Sequence, residues 1–279
     1  MTSSTAWSNQ DRYINLFDTD SGTGYPGNHF AFRHVLTTLH ERKAKRLLEV
    51  GVGSGNAISV FSDAGLEFFG IDNKREMLER SQAKLKDSGL PVGNVMWGDV
   101  EDSVTLSTLR AIGGFDGLVA MGVLPHVAFE RSALINMYHL LNPGGTVFVE
   151  CRNQLFSLFT FNRFTYEFIM HELIGDVDPK VKQSTDDFLK TRLDVDIPPS
   201  QPGHSAKQHN PLTIDKLFRD AGFTEIKVHP FHYHAALPRF ESSLGRPFRA
   251  ASIRLENESS DWRGLFLCSA FLVEAQRPQ

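Results

Sequence analysis

From residue 30 onward the apolar positions of the chain switch repeatedly between two periods. Phe32, Val35, Leu36 and Leu39 recur at helical spacing, after which residues 46–52 read as a buried strand running into glycines. In 56–64, Ala57, Val60, Phe61 and Ala64 fall at i, i+3, i+4 and i+7, and 67–72 is a second strand closing on Asp72, so the first unit is βαβ. The alternation goes on through a charged helix at 75–87, a strand at 95–100, a helix at 103–112 and an apolar strand at 115–121. A helix at 130–141 is then stopped by Asn142-Pro143-Gly144-Gly145 ahead of a strand at 146–150. Residues 212–222 give one more helix. The strands 225–229 and 264–273, with no clear helix between them, form an antiparallel pair at the sheet edge. The expected fold class is α/β, a doubly wound and mainly parallel sheet with an antiparallel edge strand.

Departures from this rhythm set the expected organisation. Residues 18–28 are rich in turn formers and set off an N-terminal segment, 1–29, whose Trp7, Tyr13, Leu16 and Phe17 make one sticky helical face that packs on the main domain or covers a ligand. The α/β core is expected at 30–150 and its completion at 211–279. Between them, 151–210 exceeds what an alternating fold needs and is read as an inserted helical cap. Its first half carries Phe156, Phe159, Phe161, Phe164, Tyr166 and Phe168, and its second half turns polar, with Pro198, Pro199 and Pro202. A packed cap, a lid over a substrate pocket and a membrane-contacting face are the three readings of those aromatics.

Charge removes one class of partner. With 29 basic and 33 acidic side chains the 279 residues carry a formal net charge of −4, so no general positive field collects phosphate backbones, and nucleic acid is not expected. The apolar run at 264–273 is far below the roughly 20 residues that span a bilayer, and the first ten residues show no basic and apolar leader pattern. A cytoplasmic protein without stable membrane insertion is the expectation. Cys151 and Cys268, each in a strand-like run, are read as small buried hydrophobes rather than a disulfide.

The stretch Leu48-Glu49-Val50-Gly51-Val52-Gly53-Ser54-Gly55-Asn56 carries the most chemistry. Glycines at alternate positions after a buried strand let the backbone turn sharply and approach a ligand, while the next helix presents free amides. A phosphate-binding loop would need a Lys-Ser/Thr pair, which does not follow, and a dinucleotide fingerprint would place Gly or Ala where Asn56 stands. Asp72 closes the second strand, from which a carboxylate accepts hydrogen bonds from vicinal ribose hydroxyls, as a nicotinamide dinucleotide and S-adenosylmethionine both require. Asp99 ends the third strand, within reach of an adenine amino group.

Taken in order, Glu49-x-Gly51-x-Gly53-x-Gly55, Gly70-Ile71-Asp72, Gly98-Asp99, Phe115-Asp116 and Leu140-Leu141-Asn142-Pro143-Gly144-Gly145-Thr146 resemble the motif set of the class I S-adenosylmethionine-dependent methyltransferases, over about residues 45–150. The elements of 212–275 resemble the closing helix and antiparallel strand pair of that family. The resemblance implies S-adenosyl-L-methionine as cofactor, with Gly51, Gly53 and Gly55 around its methionine part and Glu49 fixing the loop or the amino group. It further implies Asp72 and the adjoining Asn73 at the ribose, Asp99 and Val100 at the adenine, and Met121 and Gly122 beside the sulfonium. No metal is implied. After the fourth strand, Met121-Gly122-Val123-Leu124-Pro125-His126 lacks the Asn/Asp-Pro-Pro-Tyr of many amine and amide methyltransferases. A small-molecule acceptor methylated on oxygen is therefore the expectation.

His126 is the candidate general base, a neutral imidazole being able to take a hydroxyl proton; a loop or substrate-positioning histidine is the alternative. His204 and His209 fall in the insertion and could enter the same pocket. His229, His232 and His234 form a cluster in which 232 and 234 would share a strand face, with no third metal ligand identifiable. Cys151 is weighed as a nucleophile and set aside, since nothing near it advertises a lowered pKa. The competing functions are a nicotinamide-dependent oxidoreductase and a noncatalytic binding protein on the same fold. Nothing in the sequence indicates an oligomeric state.

Overall fold

The computed structural model describes residues 27–195, 206–258 and 261–279. They form two compact units. Described residues up to Cys151, with Leu212–His229 and Leu272–Gln279, make the first; those of Arg152–Pro211 and Pro230–Phe271 make the second. The N-terminal apolar residues Trp7, Tyr13, Leu16 and Phe17, the prolines at 198, 199 and 202, and His204 lie outside the described residues.

In chain order the elements are α1 (Gly27–Glu41), β1 (Arg46–Val50), α2 (Ile58–Asp63), β2 (Glu67–Asp72), α3 (Arg75–Asp87), β3 (Val95–Trp97), α4 (Ser107–Ile112), β4 (Phe115–Ala120), α5 (Glu130–Leu140) and β5 (Leu141–Arg152). Next come α6 (Ser157–Thr160), α7 (Arg163–Glu167), a π-helical turn at Phe168–Leu173, α8 (Pro179–Lys190) and α9 (Ile214–Asp220). The chain closes with β6 (Thr224–Tyr233), α10 (Glu241–Leu244), α11 (Arg246–Asn257), α12 (Gly264–Leu267) and β7 (Cys268–Gln276).

The seven strands are ordered β3-β2-β1-β4-β5-β7-β6, with β3, β2, β1, β4 and β5 parallel. Strand β7 runs against β5, Gly144 N–H donating to Arg277 O and Arg277 N–H to Gly145 O. The centre of the sheet is apolar on both faces: Leu47, Leu48, Leu118, Val119 and Ala120 are fully buried, as a parallel strand covered on both sides requires.

Several boundaries differ from the sequence expectation, each for a local reason. Strand β5 begins at Leu141, five residues before the expected 146, because the Pro-Gly-Gly stretch pairs with the chain end at Arg277 instead of looping out. The expected helix at 103–112 is confined to α4, since the Asp102 carboxylate takes Val104 N–H and the Thr105 hydroxyl bonds the Asp99 and Asp102 carbonyls, which holds the approach as a turn. The expected strand 264–273 starts as the short helix α12 and becomes extended only at Cys268.

The connection between β6 and β7 is helical, contrary to expectation. The buried positions of α11 are Phe248, Ser252 and Glu256, a regular four-residue stripe in which two members are polar, so no apolar period marks it. Ser252 and Glu256 are buried because they accept hydrogen bonds from Ala235 N–H (3.0 Å) and Tyr233 N–H (2.9 Å).

Asp116 joins three strand starts of the first unit. One oxygen accepts from Lys45 N–H (2.8 Å) and Arg46 N–H (3.0 Å), the other from the Asn142 side-chain amide (2.9 Å). Burial alone would raise its pKa, but these three donors and the Arg46 charge hold it below the ordinary 3.8. Asp116→Ala is expected to lower unfolding free energy by about 1–3 kcal/mol, the scale for hydrogen bonds to a charged group. Because the folded pKa is depressed, that difference is fully present above 3.8 and shrinks as pH falls through the folded value. Urea unfolding of both proteins at neutral and strongly acidic pH measures it, and identical midpoints at neutral pH would remove Asp116 as a structural clamp.

Candidate cofactor site

The sequence-predicted residues converge at the carboxyl ends of β1, β2, β3 and β4. Strands β1 and β4 are neighbours, and the chain reverses its direction of sheet growth between them, which is where open α/β sheets bind ligands.

The glycine loop leaves β1 with Gly51 N–H and Val52 N–H both donating to Ile71 O, at 2.8 and 2.9 Å. At Gly55, φ is +74° and a Cβ would stand 2.6 Å from Ile58 Cδ1 and 3.1 Å from Ser81 Cα, so a side chain there would push α2 and α3 away. Gly53 is different. A Cβ on it would have only Gly51 O, at 3.9 Å, within reach, so its missing side chain leaves space above the loop.

Asp72, the last residue of β2, is buried and closes the loop from below. Its Oδ2 accepts from Gly53 N–H (2.8 Å) and its Oδ1 from Lys74 N–H (2.9 Å). Each oxygen keeps a further lone pair for a ligand hydroxyl. Glu49, on β1, is buried too, yet its Oε2 has no hydrogen-bond partner. Burial, and then the charge of Asp72, push the Glu49 carboxyl up to about 8. Asn56, at the position that disfavours a dinucleotide, accepts from the Lys84 ammonium of α3 (2.5 Å) and the Ser54 hydroxyl (3.2 Å). Burial lowers the Lys84 pKa. No sequence signal pointed to Lys84.

Beyond β3, Asp99 and Asn73 come together: the Asn73 amide donates to Asp99 Oδ2 at 3.4 Å, and the Trp97 indole donates to Asn73 O at 3.2 Å. Thr105 fixes the turn by accepting from Asp99 N–H (2.9 Å), and Asp99 Oδ1 accepts from Glu101 N–H (2.9 Å). Val100 is buried, with its carbonyl receiving the Asn136 amide (2.8 Å). Met121 is buried at the end of β4, Gly122 turns with φ +67°, and His126 is exposed at the end of the 3-10 turn Leu124–His126.

Both cysteines are buried and free, and burial pushes each thiol up, which removes the nucleophilic reading of Cys151. In the second unit, His232 and His234 stack at 5.0 Å, with Phe156 4.8 Å from His234. Burial lowers the two imidazoles to about 4 and about 3. His209 is buried in the same unit, where its backbone bonds Arg152 and Gln154. His229 lies in the first unit, whereas His232 and His234 lie in the second. No helix among the described residues is long and apolar enough to cross a membrane.

Comparison with known proteins agrees with this geometry. Residues 48–149 match the family described as a methyltransferase domain. A ubiquinone biosynthesis O-methyltransferase of Actinobacillus pleuropneumoniae is 26% identical over 174 residues, 59% of this chain and 72% of the relative. An O-methyltransferase of Aspergillus sclerotiorum is 29% identical over 113 residues, 40% of this chain and 41% of the relative. Among solved structures, the methyltransferase domain of bacterial CtHen1-CN shares the fold with a TM-score of 0.51 at 15% identity, over 89% of this chain and 98% of that one. The sheet order and the strand-end acids define an α/β domain with a candidate ligand site at the carboxyl ends of its parallel strands. By that match over residues 48–149 the chain is similar to the class I S-adenosylmethionine-dependent methyltransferases, and S-adenosylmethionine is its cofactor.

The position of Glu49 has a measurable consequence in the ligand-free protein. Below 4.5 the folded and unfolded chains both hold its proton; between 4.5 and about 8 only the folded chain does, so stability falls as pH rises through that window. Glu49→Gln, which cannot ionise, is expected to gain stability relative to wild type from pH 5 to pH 8. Melting curves without cofactor measure it, and a gap that does not change with pH would place the Glu49 carboxyl in water.

Proposed function

We propose that this enzyme transfers the methyl group of S-adenosylmethionine to an oxygen atom of a small-molecule acceptor. The observation that carries the cofactor half is the buried, unpartnered Glu49 oxygen, two residues before the glycine loop begins at Gly51. A cationic ligand group relieves a buried acid of its desolvation cost, and S-adenosylmethionine presents both an ammonium and a sulfonium. Glu49 and the glycine loop of Gly51, Gly53 and Gly55 flank the methionine part, and Asp72 with Asn73 accepts and orients the ribose hydroxyls. Asp99 and Val100 bound the adenine. Met121 and Gly122 line the methyl side. The oxygen acceptor is supported by the two relatives whose names are those of O-methyltransferases and by the absence of Asn/Asp-Pro-Pro-Tyr after β4.

When bound, the cofactor supplies an activated methyl carbon, so the work left to the protein is alignment and removal of the acceptor's proton. His126, exposed after β4, is the residue we assign to the proton. No nucleic acid partner is proposed, consistent with the net charge of −4.

The test of the reading is methyl transfer from labelled S-adenosylmethionine to a panel of phenols, carboxylates and sugars, with the product linkage read by mass spectrometry. Oxygen-linked methyl is expected, and methyl on nitrogen or carbon alone would overturn the acceptor assignment. In parallel, Asp72→Ala is expected to weaken S-adenosylmethionine and S-adenosylhomocysteine together by about 1.5–3 kcal/mol in calorimetry, the scale of hydrogen bonds to a charged group. Unchanged affinity in the folded variant would remove Asp72 from the ribose.

His126→Asn is expected to leave cofactor affinity intact while lowering turnover by about 10²–10⁴-fold, the range for a positioned base, and to abolish the acid limb of the pH–rate profile. A raised acceptor KM with normal kcat would instead make His126 a substrate contact.

A further inference from the structure

Away from the cofactor loop, the first unit brings two imidazoles and a buried carboxylate to one point. His34 comes from α1, His229 from β6 and Glu274 from β7. Both rings aim Nε2 at the same oxygen, Glu274 Oε2, at 2.8 Å from His34 and 3.3 Å from His229. The rings face one another with centroids 3.9 Å apart and planes 38° apart, and one donor atom of each of the three residues lies within 4.8 Å of the others. We propose that His34, His229 and Glu274 form a binding site for a divalent transition-metal ion, zinc above all, separate from the cofactor site.

Three observations carry this. The first is distance. A metal bonded to nitrogen and oxygen at about 2.0–2.2 Å holds cis ligand atoms about 2.9–3.5 Å apart; the His229 separation of 3.3 Å falls within that spacing and the His34 separation of 2.8 Å falls just short of it, so only a small adjustment is needed. The second is the division of labour on the carboxylate. Its other oxygen, Oε1, faces the cations, with Arg42 at 3.6 Å and Lys227 at 3.5 Å, which fixes the carboxylate plane and leaves Oε2 to the imidazoles. These cations also oppose a metal, but Lys227 is more than half exposed and Arg42 is shared with Glu225 at 3.8 Å, so solvent and a second acid reduce their field. The third is access. Glu274 is only 4% exposed whereas each histidine side chain is 32% exposed, so an ion can enter from solvent and complete its shell with water.

Two imidazoles with one carboxylate suit zinc, nickel or copper and not magnesium or calcium, which take oxygen donors. Such an ion would tie α1 to the two last strands, elements separated by 195 and 45 residues in sequence (229 − 34 and 274 − 229), and would act on stability.

The test uses full-length, tag-free protein stripped with a chelator and titrated with zinc chloride. One equivalent is expected to bind and to raise the melting temperature. His34→Gln and His229→Gln are each expected to weaken zinc at least about tenfold, and the double variant to lose both the stoichiometric binding and the thermal shift. Calorimetric affinity for S-adenosylmethionine, unchanged in both variants, shows that they fold. Absence of stoichiometric binding, or an undiminished equivalent in the double variant, would overturn the proposal. Cobalt substitution adds a check that does not depend on stability, since visible absorption from a nitrogen- and oxygen-ligated ion should appear in wild type and vanish in the double variant.

Discussion

Glu49 and Asp72 are both buried at the ends of neighbouring parallel strands, and they differ in one respect: Asp72 has two backbone N–H partners and Glu49 Oε2 has none. Two carboxylates this close in a medium of low dielectric cannot both be cheaply ionised. The fold treats the two differently: the amides of Gly53 and Lys74 donate to Asp72, whereas burial and then the charge of Asp72 push the Glu49 carboxyl up to about 8. The shape of the glycine loop follows from the same arrangement, because the bond from Gly53 N–H to Asp72 is what draws the loop over the end of β2. A methyl donor that carries permanent positive charge favours ionisation of a buried acid such as Glu49, because the cation offsets the desolvation that holds the proton there.

The five parallel strands and the strand-end acids could be read from sequence because each rests on local pattern. Central strands buried on both faces are continuous apolar runs, and a turn that requires left-handed backbone requires glycine. What escaped was set by partners distant in the chain. Residues 142–145 carry every mark of a turn, and they become part of β5 because Arg277, more than a hundred residues away, supplies the pairing. Helix α11 escaped because its buried stripe contains Ser252 and Glu256, whose burial makes sense only once the strand amides they receive are known. The candidate site divides in the same way. Glu49, Asp72 and Asp99 were found from position, whereas Lys84 and Thr105, which hold Asn56 and Asp99 in place, belong to residue types common on any surface.

The histidines show how far residue type misleads without topology. In sequence His229, His232 and His234 look like one alternating face. In the structure, His232 has φ +63°, a left-handed conformation that a non-glycine residue in a strand adopts only under constraint, and regular alternation fails there. The constraint is visible within the second unit. The amides on either side of His234, those of Tyr233 and Ala235, do not go to a neighbouring strand but to Glu256 and Ser252 of α11, while His234 N–H donates to Leu267 O. Two side-chain acceptors from one helix face and one backbone acceptor thus hold the bent segment, and the cost of the unusual backbone is offset by three hydrogen bonds that a straight strand would place elsewhere. This also accounts for the neutral state of the pair. Held 5.0 Å apart among Phe156 and Phe248, the two imidazoles have apolar neighbours and one another, and a proton on either would be both desolvated and repelled by a proton on the second. His229, three residues before the bend, stays on the regular part of β6 and meets Glu274 instead, so a single backbone kink separates one histidine that faces a carboxylate from two that cannot hold charge.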